Sequence, residues 1–254
     1  MLKNGLTTAE YVTLDINPNS VEIVDVSFPD PGHQLPDGKV EKYALVIGVT
    51  EYYEGPLRYT DDDARSWANY LSSLGYNVIL LTGFVDTQTF IDKLYTLLRM
   101  EDGDDFVVFA FNGHGTYIPS IDASAIVLSD YKGISQYTLR DIFSHADSSH
   151  IFFFFGACHI GGMSILASSP GRYVAMASTK HTRTLESPFF KHEAFTYYFL
   201  IQGLMKLGYE YMERAFAYAY ECIMREWNGL LHPTEADGDP NSYFALKAPI
   251  DYTW

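Results

Sequence analysis

The chain is poor in the features that most binding modules depend on. Its 254 residues include only two cysteines, Cys158 and Cys222. Two are too few for a disulfide framework or a CxxC metal knuckle. Positive charge is scarce too, with 17 Lys+Arg against 32 Asp+Glu and a formal net charge of −15. Such a surface repels DNA, RNA and anionic lipid, so nucleic acid is not an expected partner and cationic ligands are favoured. No apolar run approaches the roughly 18 residues needed to cross a bilayer. The opening MLKNGLTTAEYVTLD lacks the basic-then-apolar pattern of a signal peptide.

What the chain does have is apolar mass. Hydrophobic residues make up 47% and charged residues 19%, and the aromatics include 20 Tyr and 17 Phe. A large core rich in rings is expected. Residues 1–42 are polar and punctuated by Pro18, Pro29, Pro31 and Pro36, with one strand-like stretch at Val21–Ser27. They read as an N-terminal arm over a domain spanning residues 43–254. In that domain YALVIGV (43–49), YNVILL (76–81), FVVFAF (106–111), HIFFFF (150–155) and RYVAMAS (172–178) read as strands. The apolar stripes Ala64, Trp67, Ala68, Leu71 and Phe90, Ile91, Leu94, Leu97, Leu98 read as helices between them. A weaker strand is predicted near Ala125–Leu128, a short helix near Leu139–Ala146, two helices at about 193–207 and 209–227, and a last strand at YFAL (243–246).

Strands alternating with helices imply a mostly parallel sheet covered on both faces. Ligands of such sheets bind beyond the carboxyl ends of the strands. The segments 50–63, 112–117, 156–162 and 179–187 should therefore meet at one edge. No GxGxxG or GxxxxGKS/T follows the first strand, which weighs against a flavodoxin-like nucleotide binder.

Two of those segments carry the chemistry. In FNGHGTY, His114 stands between glycines directly after a buried strand. In FFFFGACHIGG, Cys158 follows another strand by a short turn. A lone loop histidine often has no task, and a lone cysteine is usually a small buried hydrophobe. At the ends of neighbouring strands, about 5 Å apart, the two can act as nucleophile and base. An imidazole raises the thiolate fraction or takes the proton during attack. Backbone amides at Gly115 and Cys158 are placed to hold a tetrahedral oxyanion.

The order strand, GHG, strand, ACxxGG resembles the caspase and metacaspase superfamily, especially its single-chain archaeal and bacterial members. YALVIGVTEY is similar to the family's opening strand, LRYTDDDARSW to its Asn/Asp-Asp-Ala segment, and DDFVVFAFNGHGT to its histidine strand. EAFTYYFLIQGL (193–204) looks like the helix that follows the active site. The likeness runs from about Tyr43 to Leu246. It implies a three-layer α/β/α sandwich on a mainly parallel sheet of about six strands. It also implies a cysteine endopeptidase with His114 as base and Cys158 as nucleophile, acting on peptide or protein substrates without a cofactor.

The departures concern specificity. The residue two before the cysteine, usually Asp in metacaspases, is Gly156; the one two before the histidine, often Ser, is Asn112; the usual Ser two after the cysteine is Ile160. Asp63 matches a pocket-lining Asp, Glu186 is a candidate for the missing acid, and Asn112, Gly156 and Ser178 complete the expected substrate-binding set. With these the resemblance favours cleavage after a basic residue, including self-processing at Lys39, Lys42, Lys180 or Arg183. Lys180 and Arg183 in the same loop equally suit an acidic substrate. The altered positions also leave open a pseudo-peptidase that keeps the fold as a binding module. Asp102, Asp104 and Asp105, and Asp237 and Asp239, are acidic clusters that could attract calcium, although the family's ligand pattern is not matched. His159, next to the nucleophile, points away if the segment is extended.

Overall fold

Two periodicities build this molecule, 2.0 in its strands and 3.6 in its helices. The computed structural model describes residues 12–14, 16–26 and 28–247. Six strands form the central sheet: β1 (Lys42–Val49), β2 (Asn77–Gly83), β3 (Phe106–Asn112), β4 (His150–Gly156), β5 (Arg172–Met176) and β6 (Thr234–Asp237). Their order is β6-β5-β4-β3-β1-β2, parallel throughout except that β6 runs antiparallel to β5. The main helices are α1 (Thr60–Ser73), α2 (Thr87–Met100), α3 (Gln136–Phe143), α4 (Ala194–Thr196) and α5 (Met212–Glu226). α4 continues into a π-helical stretch, Tyr197–Lys206.

Alternate side chains of each strand enter opposite layers. Leu45, Ile47, Phe109 and Phe153 pack with Phe90, Leu94 and Leu98 of α2 and with Leu139 and Phe143 of α3. Ala44, Val46, Val108, Phe152 and Phe154 pack with Trp67 and Leu71 of α1, Phe199 and Leu204 of the π-helical stretch, and Ala215 and Ala219 of α5. The result is a three-layer α/β/α sandwich, as expected from the sequence. Burying a Phe or Leu fully contributes about 1.5–3 kcal/mol, and both layers hold many.

The helices begin where their first side chains satisfy loose backbone N–H groups. Asp86 accepts from Thr89 N at 2.8 Å to start α2, and Ser135 accepts from Thr138 N at 3.1 Å to start α3. Such caps each contribute about 1 kcal/mol. α1 has no side-chain cap of its own.

Three sequence expectations shift. The strand expected near Ala125–Leu128 is present as Ala123–Val127, but outside the central sheet. It joins Gly115–Ile118 and Lys132–Ser135 in a four-stranded excursion between β3 and β4, completed by Glu22–Ile23 of the arm. The strand-like stretch in the arm is accordingly only Glu22–Ile23 among the described residues. YFAL is not the last strand; β6 holds the sheet edge instead. Phe244 stacks on His150, with ring centroids 4.2 Å apart, and its carbonyl accepts from Met212 N. Those apolar residues fill the α5 layer rather than extend the sheet.

Register aligns the carboxyl ends. Gly48 pairs with Asn112, Asn112 with Gly156, and Phe155 with Met176. The loops after β1, β3, β4 and β5 thus rise from one edge.

Candidate active site

His114 and Cys158 each lie two residues beyond a register pair, Asn112 and Gly156. Gly113 N donates to Gly156 O at 3.3 Å, so the two strand exits stay paired past the sheet. Gly115 then passes against the nucleophile turn. A Cβ there would lie 2.3 Å from Cys158 O and 3.1 Å from the Ala157 Cβ, so only glycine fits.

His114 is buried and held by its backbone. Its N–H donates to Tyr52 Oη at 3.0 Å, and its carbonyl accepts from Val127 N at 3.0 Å. Tyr52 Oη in turn donates to Val127 O at 2.9 Å, and the Tyr52 and His114 rings lie 4.3 Å apart. Burial pushes the Tyr52 hydroxyl well above its ordinary range, so it remains a phenol and a fixed donor. Tyr52 was missed in the sequence, because its role depends on the loop after β1 folding over the β3 exit.

The Cys158 turn is braced from below. Ser178 Oγ donates to Ala157 O at 2.9 Å and accepts from Ile160 N at 3.2 Å. Ser178 therefore supports the turn rather than offering its hydroxyl to the cleft. His159 is not extended: its φ is 55°, its N–H donates to Thr182 O at 3.0 Å, and its Nδ1 donates to Lys180 O at 3.2 Å. The left-handed turn, not strand alternation, aims that ring away.

The thiol meets the loop after β5. Cys158 Sγ accepts from Thr184 N at 3.2 Å and lies 3.5 Å from Thr184 O. The Thr184 hydroxyl donates to Glu193, which also accepts from Phe195 N and Thr196 N at 2.8 and 2.7 Å, capping α4. Thr196 Oγ1 donates to Asn112 Oδ1 at 3.2 Å. Asp63 closes the chain, accepting from Glu193 N at 3.1 Å and pairing with His192 Nδ1 at 2.6 Å. A continuous polar network thus runs from beside the thiol to α1. Thr184 falls in the predicted cleft loop 179–187 and Glu193 opens the family-like segment 193–204, but their roles, and that of His192, depend on contacts that leave no sequence motif.

Of the expected pocket carboxylates, Asp63 is inside this network and Glu186 is engaged separately at the start of α1. Burial raises the Asp63 pKa to about 7, against the opposing hydrogen bond from His192. Burial also raises Glu193, opposed by Thr184, and Glu186, opposed by the N–H groups of Arg58 and Tyr59. Glu186 accepts from Arg58 N at 2.9 Å and Tyr59 N at 2.6 Å, and so supplies the cap that α1 lacks. Of the two cations in the same loop, Lys180 pairs with Asp122 at 3.1 Å and Arg183 is exposed.

Gly156 and Asn112 compensate for one another. A Cβ on residue 156 would stand 2.5 Å from Asn112 Oδ1 and 3.2 Å from Thr196 Oγ1. Asn112 fills the space that a side chain at 156 would need. Gly156→Asp is accordingly expected to destabilise the protein by about 1–3 kcal/mol through overpacking. Adding Asn112→Ser should recover much of that loss. Thermal unfolding of the two variants checks it, and an Asp variant as stable as the wild type would dismiss the coupling.

The acidic clusters lie elsewhere. Asp102, Asp104 and Asp105 accept from the backbone N–H groups of Asp37, Gly38 and Glu41, at the opposite end of the sheet, where they anchor the arm to β1. Carboxylate oxygens of Asp37, Asp102 and Asp104 come within 4.8 Å of one another. Asp237 accepts from Asp239 N in a turn at that same end. Among the described residues, no helix is long and apolar enough to cross a membrane.

The family model for the caspase domain, peptidase C14, matches residues 41–237. No curated protein matches in sequence. In structure the chain is similar to a protein from Geobacter sulfurreducens, with TM-score 0.63 and 13% identity over 82% of this chain and 97% of that one. It is also similar to the Drosophila initiator caspase Dronc, with TM-score 0.61 and 12% identity over 89% of this chain and 96% of that one. At such identities the structural likenesses speak to the fold.

Proposed function

We propose, from the premise that the chain belongs to the caspase domain family, that it is a cysteine endopeptidase working through a Cys158–His114 dyad. The observation that carries this reading is the matched exit of β3 and β4, which sets both residues two positions past one register pair. In the reaction the Cys158 thiolate attacks a substrate carbonyl carbon, with His114 taking the thiol proton. The N–H groups of Gly115 and Cys158 hold the oxyanion. His114 then protonates the departing amine, and water hydrolyses the thioester. No step calls for a metal or cofactor; calcium on the Asp102 cluster would act from the far end of the sheet.

Residue preference is the finer question. The basic preference expected from the sequence rests on Asp63 and Glu186, yet both carboxylates are already engaged by donors of the fold. A buried Arg of the substrate needs a partner charge, and these would have to give up existing bonds to supply it. Self-processing at basic sites narrows likewise. Lys42 lies in β1 and Lys180 is half-buried, leaving Lys39 and Arg183 as the exposed candidates.

A binding module that keeps the fold without the chemistry is the competing reading, favoured by Gly156 and Asn112. Their steric compensation supports a retuned cleft rather than a decayed one. Peptides ending in Arg, Lys, Asp, Asn or Leu, run beside a Cys158→Ala blank, test the proposal. Hydrolysis that disappears in the blank is expected. Both thiols are buried, and iodoacetamide should label Cys158 ahead of Cys222 because of its thiolate character and its place at the cleft, whereas Cys222 lies inside α5. Labelling of Cys222 ahead of Cys158, with no peptide cut either by the wild type or by a variant whose cleft has been opened, would return the chain to the binding class.

A further inference from the structure

A short strand of the N-terminal arm runs along the loop that meets the Cys158 thiol. Val12 and Thr13 pair antiparallel with Glu186 and Leu185 of the loop after β5. Leu14 N donates to Thr184 O at 3.4 Å, and Leu14 O accepts from Gly115 N at 3.3 Å. Thr184 is the residue whose N–H meets the Cys158 thiol, and Gly115 N is one of the two proposed oxyanion donors. The Leu14 peptide unit is thus bracketed by the two backbone groups that flank the nucleophile. Leu14 and Cys158 are both fully buried, in the same apolar cluster.

We infer that residues 12–14 occupy the cleft as a tethered peptide with Leu14 at the acyl position, so the site selects peptides carrying an aliphatic residue just before the scissile bond. This inference rests on the Cys158–His114 reading. The side chain at the acyl position is fully buried in an apolar cluster, where an unpaired Arg, Lys or Asp would be strongly disfavoured. The strand pairing on Leu185 and Glu186 is made by backbone and accepts many sequences before that position.

The arm stays in place because it is also held beyond Leu14. Ile16 is buried, the turn Pro18–Ser20 packs beside Gly115–Ile118, and Glu22 N and Val24 N donate to Tyr131 O and Gly133 O. Attack on the Leu14 carbonyl would form a C–S bond and break the C–N bond to Asp15, whose nitrogen would take its proton from His114. The amine half of the chain, anchored by these contacts, remains at high effective concentration. Aminolysis then restores the peptide bond and the thiol faster than water removes the acyl group. The arm therefore acts as an inhibitor in cis.

The test uses the full-length chain and two readouts. Iodoacetamide labelling of Cys158 should be at least about tenfold faster in Leu14→Asp than in the wild type, a factor set by losing one buried leucine. Leu14→Ile should label at the wild-type rate. Leu14→Gly should fall between them and covers the case in which the Asp variant fails to fold, with Cys222 labelling reporting any unfolding. Equal Cys158 rates in Leu14→Gly and wild type overturn the occupancy. Fluorogenic peptides are then given to the faster-labelling variant. Cleavage after Leu should exceed cleavage after Arg, Lys or Asp by at least about tenfold; the reverse order overturns the aliphatic assignment. Faster labelling with no peptide cut overturns the peptidase reading and its substrate class, while the occupancy stands.

Discussion

Turnover by His114→Ala is expected to fall at least about two orders of magnitude below that of the parent, both carrying Leu14→Asp to free the cleft, the usual contribution of a positioned general base. The backbone anchors of residue 114, to Tyr52 Oη and from Val127 N, do not involve its ring, so the alanine variant should keep the loop in place. His159→Ala should cost far less, because that ring donates to the Lys180 carbonyl and the proposed reaction gives it no proton to move. Steady-state rates on the best peptide, corrected with Cys158→Ala, separate the two histidines. A dead His159 variant beside a near-normal His114 variant would sink the dyad.

Gly115→Ala should be nearly as damaging, for a different reason. Its new methyl would meet a backbone oxygen of the nucleophile turn at 2.3 Å, an obstacle that cannot rotate away. The loop must move, and the Gly115 N–H moves with it. Losing one oxyanion donor lowers kcat by about 10²–10³. Because both apolar layers are built from other residues, the thermal midpoint should change much less than the rate. Near-normal kcat in this variant would show that the oxyanion sits elsewhere.

The parts of the fold that the sequence made legible are those where one residue type repeats at one period. FVVFAF and HIFFFF are apolar on both faces, and no element but a central parallel strand uses such a run. The helices of both layers announced themselves by stripes such as Phe90, Leu94 and Leu97. β6 did not. Its residues Thr234–Asp237 are polar and only partly buried, so they carry no hydrophobic signal; register with β5 alone makes them a strand. YFAL misled for the converse reason, since rings that fill a gap between layers look like strand residues on paper. In the site, His114 and Cys158 were legible because glycine-flanked reactive residues after buried strands have few other uses. Asp63 and Glu186 were found but assigned to substrate, and their actual partners are N–H groups distant in sequence. The lodging of Leu14 was invisible, because a backbone hydrogen bond leaves no mark on residue choice.

The antiparallel edge strand bears on how the protein is made. During synthesis β1 to β5 emerge first, and β5 shows a bare, unpaired edge until residues 234–237 arrive to cover it. The loop that hangs from β5 carries Thr184, against which the thiol rests. Until that edge is closed, the backbone beside the nucleophile is held through Glu193, the arm and α1, but the strand from which it hangs is still open on one side. On the ribosome, a nascent chain with β6 still in the exit tunnel should hold its dyad without a finished cleft. Order of translation thereby separates the folding of the sheet from the onset of cutting.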